Sequence, residues 1–149
     1  NPKIFNIENI NLKEFKKNFV LEDIQLIEKL IITNSWWDSV DTIAKYILGG
    51  YLLQFPSETL KVVERFSDSE NMWLNRSAIL FQLSYKDKTN FEILKSECEK
   101  HKDSNEFFIQ KAIGWALRDY SRFNPKGVEI YVNSTNLKPL SRREALRLL

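Results

Sequence analysis

The sequence predicts an all-α protein built from antiparallel helix pairs, and three observations favour that fold class. Apolar residues recur at helical spacing along most of the chain, and no long stretch alternates apolar and polar residues as a strand would. Glycine and proline, which interrupt helices, number only four each in 149 residues. Hydrophobic residues make up 43% and charged residues 28% of the chain, as in an ordinary globular domain, so we assign residues 1–149 to a single domain.

The helices are predicted in succession with short connections. The first carries an apolar stripe from Leu21 to Ile31, and the second runs from Asp38 to Leu53 and is ended by Pro56. The remaining helices are predicted over Ser57–Phe66, Asn71–Leu83, Asn90–His101, Glu106–Phe123, Pro125–Val132 and Arg142–Leu149.

Residues that favour helix starts support these boundaries. Ser57 and Asn90 are predicted N-caps, because their side chains can accept a hydrogen bond from the first turn. Pro125 suits the first position of a helix, where its missing N–H is not needed. Ser141 and Glu144 have the spacing of a capping box.

A repeat of 35 residues is visible inside the chain. Trp73–Ala78 aligns with Phe108–Ile113, and the same offset places Tyr85 on Tyr120. Both stretches have the order aromatic, aliphatic, amide, cation, small, apolar. Helix-pair repeats of about this length build armadillo, HEAT and TPR solenoids, and an irregular helical bundle is the alternative.

In such a solenoid, Arg76 and Lys111 occupy equivalent repeat positions and should point toward the same face. A row of cations along one face is suited to a phosphate backbone. The net charge of +2 is too small to indicate nucleic acid by itself, but the segment after residue 100 is basic while the rest is slightly acidic. That asymmetry favours a polyanionic partner about as well as it fits an uneven solvated surface.

Cysteine and histidine usage limits the other classes. With one cysteine, Cys98, no internal disulfide is possible, which fits a reducing cytoplasm. With one histidine, His101, a transition-metal site is not expected, and no cofactor is predicted; both residues are expected at the surface. The uncharged run from Tyr46 to Pro56 is too short to span a membrane.

The stretch around residues 36–41 holds the first candidate site residues. Trp37 and Asp41 are four residues apart and so share one helical face. A carboxylate beside an indole is a poor core pair and suits the wall of a pocket, although a surface or salt-bridged Asp41 is the alternative. Trp36 is expected to pack inward, and Asp38 to favour the helix start.

Cations and a further tryptophan supply the other candidates. Arg76 lies among apolar neighbours, where it can pair with Asp41, hold a phosphate or extend its charged end to solvent. Trp115 shares its helical face with Lys111 and Arg118, which resembles a stacking platform beside phosphate contacts. A half-buried structural tryptophan is the alternative for Trp115.

Three blocks together resemble the AlkD-like DNA alkylation repair family. They are Trp36–Asp41, Met72–Leu83 and Lys111–Tyr120, and they occur in the family's order and at matching intervals. The resemblance extends from about Leu21 to the C-terminus. It implies a HEAT-like helical-repeat DNA glycosylase that releases N3- and N7-alkylated purines from double-stranded DNA, acting as a monomer.

The resemblance also implies a role for each matching residue. Asp41 corresponds to the catalytic carboxylate, Trp37 to a contact with the backbone of the damaged nucleotide, and Arg76 to a phosphate contact. Trp115 would complete an aromatic cleft around the lesion, with Arg118 as a further phosphate contact. Asn75 stands where many relatives carry a basic residue, and roughly two N-terminal helix pairs of the family are expected to have no counterpart here.

Two other functions fit the same pattern of residues. A non-catalytic relative would bind distorted DNA without releasing a base, although Asp41 argues against a pure binder. A protein-binding helical scaffold would have no affinity for DNA and would present an apolar groove.

Overall fold

The computed structural model describes residues 19–33 and 36–149, and this part of the chain is helical without strands. The prediction of an all-α fold is confirmed. The predicted single domain also includes residues 1–18 and 34–35, which lie outside the described residues. The helices are α1 (Asp23–Thr33), α2 (Trp37–Thr42, continuing through a π-helical Ile43–Leu48 into Gly49–Gln54), α3 (Thr59–Asp68), α4 (Met72–Leu80), α5 (Phe91–His101), α6 (Phe107–Ser121), α7 (Pro125–Ser134) and α8 (Pro139–Ala145).

The even-numbered helices form one continuous layer. α2 packs against α4, α4 against α6, and α6 against α8, while each odd-numbered helix packs against the even-numbered helix that follows it. Hydrogen bonds at close to the repeat spacing link successive pairs, such as Tyr85 Oη to the Gly49 carbonyl at 2.7 Å. The predicted helical-repeat architecture is therefore confirmed, and it collects side chains that are about 35 residues apart on one layer.

Helix α4 lies between two parts of the hydrophobic core. Leu74 and Ala78 pack with the cluster formed mainly by α1, α2 and α3, whereas Ile79 and Leu80 pack with the cluster formed mainly by α5 to α8. A helix that is buried on several sides carries apolar residues on most of its surface, as α4 does. Its buried polar side chains are Ser77, whose hydroxyl donates to the Trp73 carbonyl at 2.8 Å, and Arg76, which is described with the site below.

The caps explain where several helices begin. Asn90 accepts a hydrogen bond from the backbone N–H of Ile93 at 3.1 Å, as predicted, and Pro125 opens α7. The predicted caps at Ser57 and Ser141 are wrong. Ser57 lies within a 3₁₀ turn, Pro56–Glu58, that precedes α3. Ser141 lies inside α8, which already starts at Pro139, and its hydroxyl donates to the Gln110 carbonyl at 2.8 Å.

Three expected surface or core positions also need correction. Cys98 is fully buried, because it faces the second core cluster from α5. His101 is half-buried, with its Nε2 atom 2.7 Å from the Ser67 hydroxyl. Trp36 is 59% exposed rather than packed inward, since it precedes the first turn of α2 and meets Phe108 in a T-shaped contact with 6.2 Å between the ring centroids. Among residues 19–33 and 36–149, no helix combines the length and the apolarity that crossing a bilayer would require.

Candidate active site

A cleft of about 310 Å³ lies on the layer of even-numbered helices. Its volume is at the lower end of the range for small-molecule sites. The six residues predicted from the sequence all line it, and three further residues join them. The lining side chains are Trp37 and Asp41 from α2, Arg76 from α4, Phe107, Phe108, Lys111, Trp115 and Arg118 from α6, and Glu144 from α8.

Asp41 and Arg76 form a buried, bidentate ion pair on the wall of this cleft. Arg76 Nε lies 2.7 Å from Asp41 Oδ1, and Arg76 Nη2 lies 2.9 Å from Oδ2. Only 4% of the arginine side chain and 9% of the aspartate side chain are exposed. Parallel N–H···O bonds of this kind fix the relative orientation of both groups. Of the roles left open for Arg76, the structure therefore shows pairing with Asp41.

Phe108 holds the same guanidinium from the side of α6. Arg76 Nη1 donates a hydrogen bond to the Phe108 carbonyl, and the guanidinium carbon lies 5.8 Å from the centre of the Phe108 ring. The ring in turn packs against Trp73 with 5.1 Å between centroids. Arg76 is thus bound by α2 and α6 at once, and the position of Asp41 depends on contacts among three helices.

A second group of charges lies in the same cleft around Glu144. Arg118 Nη1 lies 2.8 Å from Glu144 Oε2, Lys111 Nζ lies 3.6 Å from Oε1, and Arg147 Nη1 lies 3.5 Å from Oε2. Burial alone would raise the pKa of Glu144, but the charges of Lys111, Arg147 and Arg118 outweigh it, so the pKa lies below its ordinary value. The capping role predicted for Glu144 is wrong, because α8 starts at Pro139 and Glu144 lies in its last turn.

Gly114 allows α8 to lie close enough for Glu144 to reach the cleft. A Cβ atom on residue 114 would lie 2.6 Å from the Cβ of Glu144 and 3.2 Å from the Ser141 carbonyl oxygen. Both atoms belong to α8, so a methyl group on residue 114 would require α8 to shift. The close packing of α6 and α8 consequently depends on glycine at this position.

Aromatic side chains form the more open part of the cleft. Trp37, the first residue of α2, is 43% exposed, and Phe107 is 56% exposed. Trp115 is half-buried, with part of its surface packed on the second core cluster. Large exposed rings beside a buried carboxylate and several cations provide surfaces for stacking and for cation–π contacts.

The sequence reasoning missed Phe107, Phe108 and Glu144 as lining residues. A signal for Phe108 was present, since the 35-residue repeat aligns it with Trp73, and these two rings are in contact. Glu144 carried no comparable signal, because its partner Arg118 is 26 residues away and outside the repeat offset.

Fold and site together define a helical-repeat protein whose even-numbered helices present a fixed carboxylate among aromatic and cationic side chains. The sequence profile of the family described as DNA alkylation repair enzyme matches residues 9–149. The chain therefore belongs to the DNA alkylation repair enzyme family, and the resemblance inferred from the three sequence blocks is confirmed.

A solved structure supports the same assignment. The chain is similar to a predicted DNA alkylation repair enzyme from Enterococcus faecalis, with 36% sequence identity and a TM-score of 0.84. The match covers 93% of this chain and 64% of that protein, so the chain spans less than two thirds of its structural relative. A comparison with curated proteins found no match.

Proposed function

We propose that this protein acts as a DNA glycosylase that releases N3- and N7-alkylated purines from double-stranded DNA. The observation that carries the proposal is the Asp41 carboxylate, which is fixed by Arg76 at the wall of an aromatic and cationic cleft. Membership of a DNA alkylation repair family supports DNA as the partner.

The proposed chemistry needs few catalytic groups. A purine alkylated at N3 or N7 carries a positive charge, so the base departs as a neutral molecule and needs no general acid. Positive charge then develops on the sugar as the glycosidic bond breaks. A carboxylate placed beside that sugar stabilises the charge, and it can also orient the attacking water.

The geometry of Asp41 suits this role. A carboxylate has about four lone-pair directions, and the two bonds from Arg76 occupy one direction on each oxygen. The other directions remain for a sugar cation or a water molecule. Because Arg76 and its Phe108 contacts fix the orientation in advance, little reorganisation is needed when the charge develops. Arg76 is in this proposal a positioning residue.

The other lining residues have supporting roles in the proposal. Trp37 and Trp115 present ring surfaces to the cationic nucleotide, and such contacts are favourable when they exclude water. Lys111 and Arg118 neutralise phosphates that flank the lesion, which orients the duplex without reading its sequence.

Release of N7-methylguanine from a duplex containing that base tests the proposal. The wild-type protein is expected to release the base under single-turnover conditions, and Asp41→Asn is expected to lose at least a hundredfold in rate, as for other removals of a group that stabilises transition-state charge. Binding of the same duplex should change little, because the aromatic and cationic contacts remain.

Asp38→Asn is a matched control for this experiment. Asp38 lies in the first turn of the same helix and is exposed, so the variant makes the same chemical change outside the cleft. Its rate should equal that of the wild type. Thermal unfolding of both variants establishes that each is folded at the assay temperature. Binding without base release by the wild type would replace the glycosylase by a DNA-binding module, and absence of both would favour a protein scaffold.

A further inference from the structure

The cleft contains two ion-pair clusters that differ in how firmly they are held. The Asp41–Arg76 pair is almost fully buried and makes two short parallel hydrogen bonds. The cluster around Glu144 is more open: Lys111 is 40% exposed, and Arg118 is 23% exposed. A firm pair suits a fixed catalytic group, whereas a loose cluster can exchange its partners.

Glu144 holds its cations with fewer and longer contacts than Asp41 holds Arg76. Arg118 makes one hydrogen bond of ordinary length to Glu144, through a single nitrogen, whereas the Arg76 pair with Asp41 is bidentate. The Lys111 ammonium is 3.6 Å away, beyond ordinary hydrogen-bond distance. Glu144 itself is 14% exposed, so these pairs are partly buried, but water reaches both cations and weakens the pairs enough for another anion to compete with the carboxylate.

We propose that Glu144 is an internal competitor of the DNA backbone: it holds Lys111 and Arg118 in the free protein and yields them to phosphates when DNA binds. This inference rests on the proposed binding of DNA at the cleft but not on base excision. A phosphate offers the same kind of acceptor oxygens as a carboxylate, and Arg118 can bind it with two nitrogens. Glu144 thereby lowers the affinity for every duplex, whether or not it carries a lesion.

The physical consequence is a defined change in affinity when the carboxylate is neutralised. In Glu144→Gln, Lys111 and Arg118 no longer have to leave a negative partner, and the phosphates no longer face a negative charge. We expect binding of an undamaged duplex to become roughly three- to tenfold tighter at low salt, from two weak ion pairs. A duplex with N7-methylguanine should gain by the same factor, because its phosphates are the same, and the gain should shrink as salt screens the charges.

Fluorescence anisotropy with labelled duplexes, across a range of salt concentrations, measures these affinities. Glu129→Gln is the matched control, because it removes one negative charge from an exposed position on α7 and so gives the same net charge. Its affinity should stay within about twofold of the wild type, which isolates the local effect of Glu144 from the total charge.

A second background makes the test specific for the two cations. In the variant Lys111→Gln/Arg118→Gln, adding Glu144→Gln should give no larger gain than adding Glu129→Gln. A gain that persists there would overturn the proposal, because the effect would then not pass through these side chains. Weaker binding by Glu144→Gln would also overturn the proposal. With an unchanged melting temperature, that result would indicate that Glu144 positions the two cations for DNA. With a lower melting temperature, it would indicate a structural role.

Failure of this inference can be told apart from failure of the proposed function. Base release by the wild type tests the glycosylase, whereas the affinity of Glu144→Gln for undamaged DNA does not involve excision. A protein that binds DNA without releasing base, and binds more tightly as Glu144→Gln, would retain the competitor role. A protein that releases base, but whose affinity does not change in Glu144→Gln, would retain only the enzyme assignment.

Discussion

Replacing Arg76 with alanine should destabilise the fold much more than removal of an exposed arginine. The change leaves the Asp41 carboxylate in a site where only 9% of its side chain is exposed, without its two hydrogen bonds. Removing one partner of a buried ion pair costs about 3–5 kcal/mol, because the remaining charge is desolvated and uncompensated. For a chain of 149 residues, that loss corresponds to a melting temperature lower by roughly 6–20 °C.

Far-UV circular dichroism during heating or urea titration measures this loss, since the described part of the chain is helical. Arg65→Ala is the matched control: Arg65 pairs with Glu28 at 2.8 Å, but 51% of its side chain is exposed. An exposed pair is worth at most about 1 kcal/mol, so the control should unfold close to the wild type.

The double variant Asp41→Asn/Arg76→Gln separates the buried charge from simple loss of packing. It removes both charges and keeps side chains of similar size, so it should be more stable than Arg76→Ala. The reasoning would be refuted if Arg76→Ala lost no more stability than Arg65→Ala. It would equally fail if the double variant were no more stable than Arg76→Ala, because the unpaired carboxylate would then not be the cause.

Three further predictions concern the salt dependence of binding, the packing of the layer and the response to pH. Arg118→Gln should make the salt dependence of DNA binding shallower by about one phosphate contact. Arg76→Gln should leave the salt dependence unchanged, because the Arg76 guanidinium is buried. A shallower slope for Arg76→Gln would favour the phosphate contact that the family resemblance implies. Gly114→Ala should lower the free energy of unfolding by about 1–3 kcal/mol, measured in urea, because the new Cβ meets α8; an unchanged midpoint would show that α8 moves freely. Burial raises the pKa of Glu97 above its ordinary value of 4.5, although a hydrogen bond from Ser67 and the charge of Lys100 oppose the shift. The contribution of Glu97 to stability is therefore fully present at acidic pH and is lost as the pH rises through the raised pKa. The melting temperature of Glu97→Gln should accordingly increase relative to that of the wild type as the pH rises. The control Glu92→Gln, at an exposed position, should show no such pH dependence.

The fold was accessible from the sequence because its signals are local or periodic. Helical spacing of apolar residues depends only on neighbours within two turns, and it predicted the described helices from α1 to α7. The last helix was predicted over Arg142–Leu149, but it begins at Pro139 and ends at Ala145. The N-cap at Asn90 and the first helical position at Pro125 are also local signals, and both predictions were correct. The caps at Ser57 and Ser141 were wrong, because prolines at positions 56 and 139 started each helical segment earlier or changed its first turn.

The site was only partly accessible for the opposite reason. The Trp37 and Asp41 spacing put both on one face of a helix, and the repeat brought Arg76 and Lys111 to the same layer. Asp41 lies on the wall of the cleft and is also salt-bridged to Arg76. That pairing depends on how closely α2 and α4 approach, and no local sequence pattern encodes this distance. The resemblance to a family supplied the residue roles, which remain predictions.

The sequence by itself determined the helical class, the repeat of 35 residues and the meeting of Arg76 and Lys111 on one layer, because these follow from periodicity and from a constant offset along the chain. Only the tertiary structure decided how the charges pair. It directed Arg76 to Asp41 rather than to solvent, and it brought Glu144 across Gly114 to Arg118. The physical reason is that ion pairs between helices depend on interhelical distances of a few ångströms, which are set by the packing of the whole core.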